Sequence, residues 1–375
     1  MLTGIYLSGC STPYCPDSGT GLGNTCGQVA ATNATSATNS SGVTTNTTTT
    51  GNTTATNTGN PVANTTNSTV TNVTRNAFQQ SQMFLSSPSA GLARLTLGQT
   101  SWNPTSLLGG PPSAGYLTLD ALHDRLYVAD TGANAIEIYD AVSTLGVNAS
   151  PIRVLTGAST GLNAPVQVQV DDANDLLYVG NSGSTAITVF SSASTVSGDV
   201  TPARTMVSPH ISGISSIYLD SAGNRLWVVD PRAEALVEFD SAATLTGSSA
   251  ATRVVSGSNT ALVNPRYLTQ GGTSLYVSVT SAILRFSSAD SLMGNVAPAA
   301  GLAGVLRTPG QLTYSTSTNE LYVADPGANA VLVFANASTT NGIPGPANEL
   351  GGRSTGLPSV AGLALELDPQ GARTR

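Results

Sequence analysis

A short pattern, a leucine followed by an aromatic residue and a valine, recurs five times in this 375-residue sequence. Successive copies are separated by 51, 49, 49 and 46 residues. A fixed period of about 50 residues is the signature of a repeat architecture, in which each unit buries its apolar surface against its neighbours. The sequence is therefore predicted to fold as a series of like units, with these anchors: Leu126-Tyr127-Val128, Leu177-Tyr178-Val179, Leu226-Trp227-Val228, Leu275-Tyr276-Val277 and Leu321-Tyr322-Val323.

Each anchor is accompanied by three further strand-like segments. An alternating segment precedes it (116–120 in the first unit), and a third segment follows a tight turn and begins at an alanine (Ala135). A fourth lies near Arg153, with Arg204 and Arg253 at the same place in later units. Alternation of apolar and polar residues with β-branched and aromatic side chains, bounded by Gly, Pro and Asn, predicts β-strands. Four strands in about 50 residues predict a β-propeller blade.

The two ends of the chain together predict the number of blades. The last unit supplies one strand, 360–368, before the sequence ends at residue 375. Its missing strands are predicted near the N-terminus, with 69–72 as the anchor strand, 76–78 as the third strand and Arg94 on the outermost strand. We therefore predict an all-β, six-bladed β-propeller with four-stranded blades, whose last blade combines N-terminal strands with one C-terminal strand. Such closure removes exposed sheet edges.

The segments 126–136 and 321–331 share the core Leu-Tyr-Val-Ala-Asp followed by Asn-Ala and Ile or Val. This core resembles the NHL and YVTN repeats of bacterial secreted propellers, and the resemblance extends over residues 68–375. It implies the propeller fold and does not specify a ligand.

The residues Leu7-Ser8-Gly9-Cys10 resemble the lipobox of bacterial lipoproteins. The resemblance implies that a signal peptide is removed and that Cys10 is lipidated, and Ser11 then favours the outer membrane. Nine residues precede Cys10, fewer than the usual 15–30 of a signal peptide, so we expect the start codon to lie further upstream. A chance tetrapeptide is the alternative. With Cys10 lipidated, Cys15 and Cys26 remain as a plausible disulfide pair.

A polar segment separates this region from the repeats. No charged residue occurs between residues 18 and 74, and residues 31–74 are mostly Thr and Asn. Such a segment has too little apolar surface to offset the entropy of ordering it. We therefore divide the chain into a signal remnant with lipobox and cysteines (1–26), a disordered tether (27–67) and the propeller domain (68–375).

The composition excludes one class of partner. The sequence has 14 Arg and no Lys against 21 acidic residues, a net charge of −7. A nucleic-acid binder needs clustered cations that displace counterions from phosphates, and none are present. No apolar run approaches the roughly 20 residues that a membrane-spanning helix needs, so contact with a membrane is expected only through the lipid. We expect a monomer.

The acidic and amide residues that end several anchor strands allow two interpretations. They could bind metal ions, or they could cap the following turns, as Asx side chains do. We favour capping, because a residue repeated in every blade usually serves the blade, and we expect no metal ion and no cofactor. The two histidines, His123 and His210, lie in loops predicted on opposite faces. No nucleophile–base pair is evident.

The residues that differ from blade to blade on the innermost strands are the candidate ligand site. We expect them to line the central channel, near the face formed by the loops that join the fourth strand to the next blade. Amides and phenols both donate and accept hydrogen bonds, which suits sugars or peptide backbones. Arg266 and Glu366 could also pair directly across the channel. The candidates are Tyr116, Gln167, Gln169, Tyr218, Arg266, Gln311 and Glu366.

These features predict a lipid-anchored, extracytoplasmic propeller that is a non-catalytic binding module for a protein, peptide or glycan. The alternative is a propeller hydrolase or lyase of the lactonase type, with a site at a channel mouth. Calcium in such an enzyme needs six to eight oxygen ligands, with carboxylates prominent among them. Glu366 is the single carboxylate among the candidate channel residues, which is too few. A purely structural surface protein is a third hypothesis. Trp102, in a long loop over 99–114, either packs that loop or borders the channel.

Overall fold

The computed structural model describes residues 81–97, 102–111, 113–351, 355 and 357–366, without the side chains of 97 and 102–107. These residues form β-strands and four one-turn 3-10 helices, at Val142–Thr144, Ala158–Thr160, Ala242–Thr244 and Ala289–Ser291. No helix in this part of the chain is long and apolar enough to cross a membrane.

The strands of the first half are β1 Gln82–Ser87, β2 Gly91–Leu97, β3 Trp102–Gly109, β4 Ala114–Asp120, β5 Arg125–Asp130, β6 Ala135–Asp140, β7 Arg153–Thr156, β8 Pro165–Asp171, β9 Leu176–Asn181, β10 Ile187–Ser191 and β11 Arg204–Val207. Those of the second half are β12 Ser216–Asp220, β13 Arg225–Asp230, β14 Ala235–Asp240, β15 Gly247–Ser248, β16 Arg253–Ser256, β17 Tyr267–Gly271, β18 Ser274–Ser278, β19 Ile283–Phe286, β20 Ala300–Leu302, β21 Leu312–Ser315, β22 Glu320–Asp325, β23 Ala330–Phe334, β24 Asn348–Gly351 and β25 Gly362–Glu366.

These strands form six antiparallel blades around a ring, which confirms the predicted six-bladed β-propeller. From the innermost strand outward, blade 1 is β4-β5-β6-β7, blade 2 is β8-β9-β10-β11, and blade 3 is β12-β13-β14-β16. Blade 4 is β17-β18-β19-β20, blade 5 is β21-β22-β23-β24, and blade 6 is β25-β1-β2-β3. The innermost strands of successive blades are neighbours, and β25 of blade 6 adjoins β4 of blade 1.

The anchor strands are apolar on both faces because each blade is packed between two others. Leu126 and Val128 of blade 1 pack against blade 6, whereas Tyr127 and Ala129 pack against blade 2. All four are fully buried. Full burial of a Val- or Leu-sized side chain contributes about 1.5–3 kcal/mol. The hydrophobic core is therefore a set of six clusters between the blades.

The acidic residues at the ends of the anchor strands cap the turns, as predicted. Asp130 Oδ1 accepts a hydrogen bond from Ala133 N (3.0 Å). Asp325 Oδ1 accepts from Gly327 N (3.0 Å) and Ala328 N (3.2 Å). Each carboxylate thus satisfies backbone N–H groups that the ladder leaves without partners.

The closing blade is composed as predicted, of N-terminal strands and one C-terminal strand, but its N-terminal strands were wrongly assigned. β25 pairs with β1, and β1 pairs with β2. The predicted strands at 69–72 and 76–78 lie outside the described residues. Arg94 is on β2, the third strand, and not on the outermost strand. The predicted loop over 99–114 contains the outermost strand β3, which begins at Trp102.

The anchor strand of blade 6 was wrongly assigned because its residues differ from those of the other anchors. Met83 and Leu85 pack against blade 5, and Phe84 packs against blade 1, which is the same alternation as in Leu126-Tyr127-Val128. The two segments have the same pattern of burial, although all three residues differ.

A second contact joins neighbouring blades at the perimeter. A glycine in the loop between the third and fourth strands pairs in parallel with the outermost strand of the preceding blade. Gly198 N donates to Val154 O (2.8 Å), and Thr156 N donates to Gly198 O (3.2 Å). Gly198 has φ +75°, which favours glycine. The same pairing occurs at four junctions: Leu155 with Gly198, Met206 with Gly247, Val255 with Gly294, and Leu302 with Gly342.

Candidate functional site

The register of the inner strands defines two rings of side chains along the channel. The mouth ring consists of the residues paired with the anchor aromatics and with Phe84: Thr118, Gln169, Tyr218, Thr269, Thr313 and Ala364. The middle ring lies two residues earlier in each strand and contains Tyr116, Gln167, Ser216, Tyr267, Gln311 and Gly362. Side chains two apart share a face of a strand, so the two rings are stacked along the channel.

Two predicted site residues are not in these rings. Arg266 precedes the middle-ring residue Tyr267, and its backbone N–H donates to Ser278 O (2.8 Å). Glu366 lies two residues beyond the mouth-ring residue Ala364, at the position that Asp120 has in blade 1. The two levels are five residues apart, about 16 Å along the strands. Arg266 and Glu366 therefore lie toward different ends of the channel and do not face each other across it.

Two tyrosines of the middle ring meet across the channel. Tyr116 of blade 1 and Tyr267 of the opposite blade 4 pack edge to face, with ring centroids 5.0 Å apart and an interplanar angle of 79°. Burial raises the pKa of Tyr116 to about 12, partly offset by Arg266, and burial raises the pKa of Tyr267 further. Both phenols are therefore neutral at physiological pH, and they form an uncharged plug.

Gln311 of blade 5 contacts three other blades beside this plug. Its Oε1 accepts hydrogen bonds from Leu117 N and Leu363 N, both at 2.9 Å. Its Nε2 donates to Leu117 O (2.6 Å) and approaches the Tyr267 hydroxyl (3.2 Å). The side chain is 2% exposed. Both polar atoms of the Gln311 side chain are engaged within the fold, which gives the residue a structural role, while its role in ligand binding stays a prediction.

Gln167 and Ser216 complete the plug in blades 2 and 3. Both are fully buried. Gln167 Nε2 donates to Val168 O (3.0 Å) and to Thr118 Oγ1 (3.1 Å), while the Tyr267 hydroxyl lies close enough to Gln167 for the amide to influence its pKa. Within the described residues, Gln167 Oε1 and Ser216 Oγ have no partner of good hydrogen-bond geometry. Buried polar atoms without partners are costly, and a bound water or ligand often supplies the partner.

A cavity of about 250 Å³ lies beyond the plug, toward the ends of the inner strands. The site was predicted near the face formed by the loops between successive blades. This cavity lies instead on the side of the turns between the first and second strands. None of the described side chains that line it is charged. Its polar lining consists of Thr118, Gln169, Tyr218, Thr269, Thr313 and Gln311, with Tyr267 at its inner end.

Carboxylates near this end of the channel are engaged in turns. Asp120 Oδ1 accepts from His123 N (3.0 Å), Asp171 Oδ1 from Asn174 N (3.3 Å), and Asp220 Oδ1 from Gly223 N (2.9 Å). These three side chains therefore cap the turns between the first and second strands of blades 1, 2 and 3. Glu366, the remaining acid at this level, also makes an interaction within the fold.

The histidines lie where the sequence placed them, His123 between β4 and β5 and His210 between β11 and β12. Sequence reasoning missed the approach of Asp172 of blade 2 to His123. The distance from His123 Nδ1 is 2.8 Å to Asp120 Oδ2 and 3.6 Å to Asp172 Oδ1. The cysteines Cys10, Cys15 and Cys26 lie outside the described residues.

No protein-family model matches the sequence, and no curated protein is significantly similar to it. Solved structures are similar in fold. A chain of a nidogen–laminin complex is 15% identical with a TM-score of 0.53, over 76% of this chain and 98% of that one. A protein from Lactobacillus plantarum is 16% identical with a TM-score of 0.51, over 76% and 99%. A protein of unknown function from Desulfotomaculum acetoxidans is 13% identical with a TM-score of 0.51, over 78% and 87%. Identities this low support the propeller fold alone.

Proposed function

We propose that this protein is a non-catalytic binding module that takes the terminal sugar of a glycan into the channel-mouth cavity. The observation that carries the proposal is the cavity itself, which has about 250 Å³ of space and a lining of hydroxyls, amides and phenols without a charged side chain. Such groups donate and accept hydrogen bonds in both directions, which suits the hydroxyls of a neutral sugar. Tyr218 adds an aromatic ring to the wall.

The size of the cavity sets the size of the ligand group. Pockets for drug-sized ligands have volumes of about 300–1,000 Å³, so a cavity of 250 Å³ suits a single sugar ring. Tyr267 of the plug lies at the inner end of the cavity, so we expect the end of a chain to enter. Recognition of chain ends favours a binding module over an enzyme that cleaves bonds inside a polymer.

The arrangement of the acids supports a non-catalytic role. The carboxylates Asp120, Asp171 and Asp220 hold turns, and the two histidines belong to different loops. The nidogen–laminin structure is a protein complex that contains a chain of similar fold. That likeness is compatible with a binding role, although it carries no partner over to this protein.

Binding is tested by screening the full chain against a glycan array and measuring the affinity of any hit by calorimetry. Gln169→Ala and Tyr218→Ala should each weaken binding about tenfold, the equivalent of 1.4 kcal/mol. Asn259→Ala, which shortens an exposed amide outside the cavity, is the matched control and should leave the affinity unchanged. The proposal fails if no glycan binds, if peptides bind instead, or if the cavity variants bind like the wild type. Release of cleaved product would favour the hydrolase alternative.

We also propose that lipid on Cys10 anchors the protein in the cell envelope and that residues 27–67 tether the propeller. The lipobox-like Leu7-Ser8-Gly9-Cys10 and the uncharged Thr/Asn-rich segment support this proposal. Lipoprotein processing supplies more than one acyl chain, which stable anchoring requires. Expression with a complete lipoprotein signal peptide ahead of Cys10 should give a membrane-bound protein, and Cys10→Ser should release it, whereas Cys15→Ser should not. Membrane retention of Cys10→Ser would contradict the anchor.

A further inference from the structure

The turn between the first two strands of blade 1 meets the corresponding turn of blade 2 at a small cluster of metal-binding groups. Asp120 and His123 come from blade 1, and Asp172 comes from blade 2. One ligand atom of each lies within 4.8 Å of the others. The Asp120 side chain is 2% exposed, and those of His123 and Asp172 are 44% and 37% exposed. A buried carboxylate thus faces two groups that can move.

The turn itself does not require a histidine. In blade 2, Asn174 occupies the position of His123, and its Nδ2 donates to Asp171 Oδ2 (2.8 Å). In blade 3 the residue at this position is Gly223, whose backbone N–H donates to Asp220 Oδ1, while Arg225 donates to Asp220 Oδ2. An imidazole at this position is therefore a departure from the repeat.

Asp172 is a second departure from the repeat. The residue after the turn-capping aspartate is Ala121 in blade 1 and Ser221 in blade 3. Of these three turns, only that of blade 1 contains a histidine, and only that of blade 2 has an aspartate directly after the turn-capping one. These two side chains, His123 and Asp172, meet at the junction of the two blades. Residues that break a repeat are better candidates for function than those that every blade shares.

A cavity of about 150 Å³ adjoins the cluster. Of the other charged groups in its wall, Asp175 caps Ser194 N (2.7 Å) and Ser194 Oγ (3.0 Å), and Arg125 pairs with Asp140 (3.1 Å). The carboxylates of Asp120 and Asp172 remain beside the imidazole.

We propose that Asp120, His123 and Asp172 bind a divalent transition-metal ion of the zinc class. With bonds of about 2.0–2.1 Å, ligand atoms around tetrahedral zinc are about 3.4 Å apart. The distances of 2.8 and 3.6 Å from His123 Nδ1 bracket that value, so small side-chain rotations suffice. Asp120 can keep its turn, because Oδ1 accepts from His123 N while Oδ2 faces the site.

The ligand chemistry favours zinc over calcium. One imidazole nitrogen and two carboxylate oxygens suit borderline ions such as Zn²⁺ or Co²⁺, whereas calcium needs six to eight oxygens. For binding through Nδ1, the imidazole must be neutral with its proton on Nε2. Three protein ligands leave one position for water. Because the ligands come from two blades, the ion would tie blade 1 to blade 2 at their inner turns.

The test is calorimetric titration of the full chain with Zn²⁺ and measurement of Tm. Cys10, Cys15 and Cys26 are changed to Ser in all samples, so that thiols cannot bind the ion. We expect one ion per chain and a rise in Tm of about 5 °C at a Zn²⁺ concentration 100 times the Kd. Co²⁺ should compete and give the visible absorption of a site with a nitrogen ligand.

Two variants and one control decide whether the cluster is the site. His123→Asn introduces the residue that blade 2 uses in the same turn, so the fold should survive, and Zn²⁺ affinity should fall at least tenfold. Asp172→Ala should do the same, since Ala121 stands at that position in blade 1. His210→Asn removes the other histidine and should change nothing. Absence of stoichiometric binding, or binding that survives His123→Asn, would overturn the proposal.

Discussion

Replacing Gln311 by leucine tests whether the hydrogen bonds of this side chain hold neighbouring blades together. The change removes the partners of three buried backbone groups, Leu117 N, Leu117 O and Leu363 N. Each buried polar group left without a hydrogen bond costs about 1–3 kcal/mol. The sum is about 3–9 kcal/mol, and access of water from the adjacent cavity favours the lower part of that range. We expect Gln311→Leu to lower the free energy of unfolding by about 3–5 kcal/mol.

Gln169→Leu is the matched control. It is the same substitution on the inner strand of another blade, and the described structure contains no hydrogen bond from the Gln169 side chain. Its effect on the free energy of unfolding should be within about 0.5 kcal/mol. Urea unfolding followed by tryptophan fluorescence measures both, because the buried Trp227 reports on the core. Equal slopes with different midpoints would indicate a change in stability alone. A loss below about 1 kcal/mol for Gln311→Leu, or equal losses for both variants, would refute the structural role of Gln311.

Two further predictions concern single hydrogen bonds elsewhere in the ring. Asp199 Oδ1 accepts from Ser159 N (2.7 Å) at the perimeter contact between blades 2 and 1, so Asp199→Ala should cost about 0.5–1.5 kcal/mol in thermal unfolding, and an unchanged Tm would contradict this. Burial raises the pKa of Glu137 above its usual 4.5, so this residue favours the folded state only at low pH, and that contribution is lost as the pH rises through the raised value. Glu137→Gln keeps an acceptor for the Tyr139 hydroxyl (2.6 Å) and should stabilise the protein at pH 7 by less than about 1 kcal/mol, with no gain at pH 4; a gain independent of pH would contradict it.

The blade architecture was predictable because the anchor strands carry two kinds of information at once. Their full burial on both faces demands consecutive apolar residues, and the turns that follow demand Asp or Asn and glycine. Both requirements recur at one period. In blade 6 the second requirement is relaxed, since Ser87 stands where blade 1 has Asp130. A search by residue identity therefore fails there, while one by apolar character would detect Met83-Phe84-Leu85.

The channel lining was predictable only where the turns have equal length. Thr118 and its anchor partner Tyr127 are nine residues apart, whereas Thr269 and Tyr276 are seven apart. The turn in blade 4 is two residues shorter. The prediction allowed for only part of this shortening and placed the strand one residue out of register, and a shift by one residue exchanges the two faces of a strand. This is why Arg266 was predicted in place of Tyr267. Contacts between blades, such as that of Asp172 with His123, depend on ring geometry and leave no signal at a fixed spacing.

The plug divides the channel into two separate environments. Tyr116 and Tyr267 meet across it, Gln311 fixes the adjoining backbone, and the cavity lies on one side of these residues. Arg266 lies toward the other end of the channel from Gln169, so the predicted set of site residues extends over both sides of the plug. Gln169 and Tyr218 both line the mouth cavity, and the site that we propose there offers neutral hydrogen-bonding groups to a ligand.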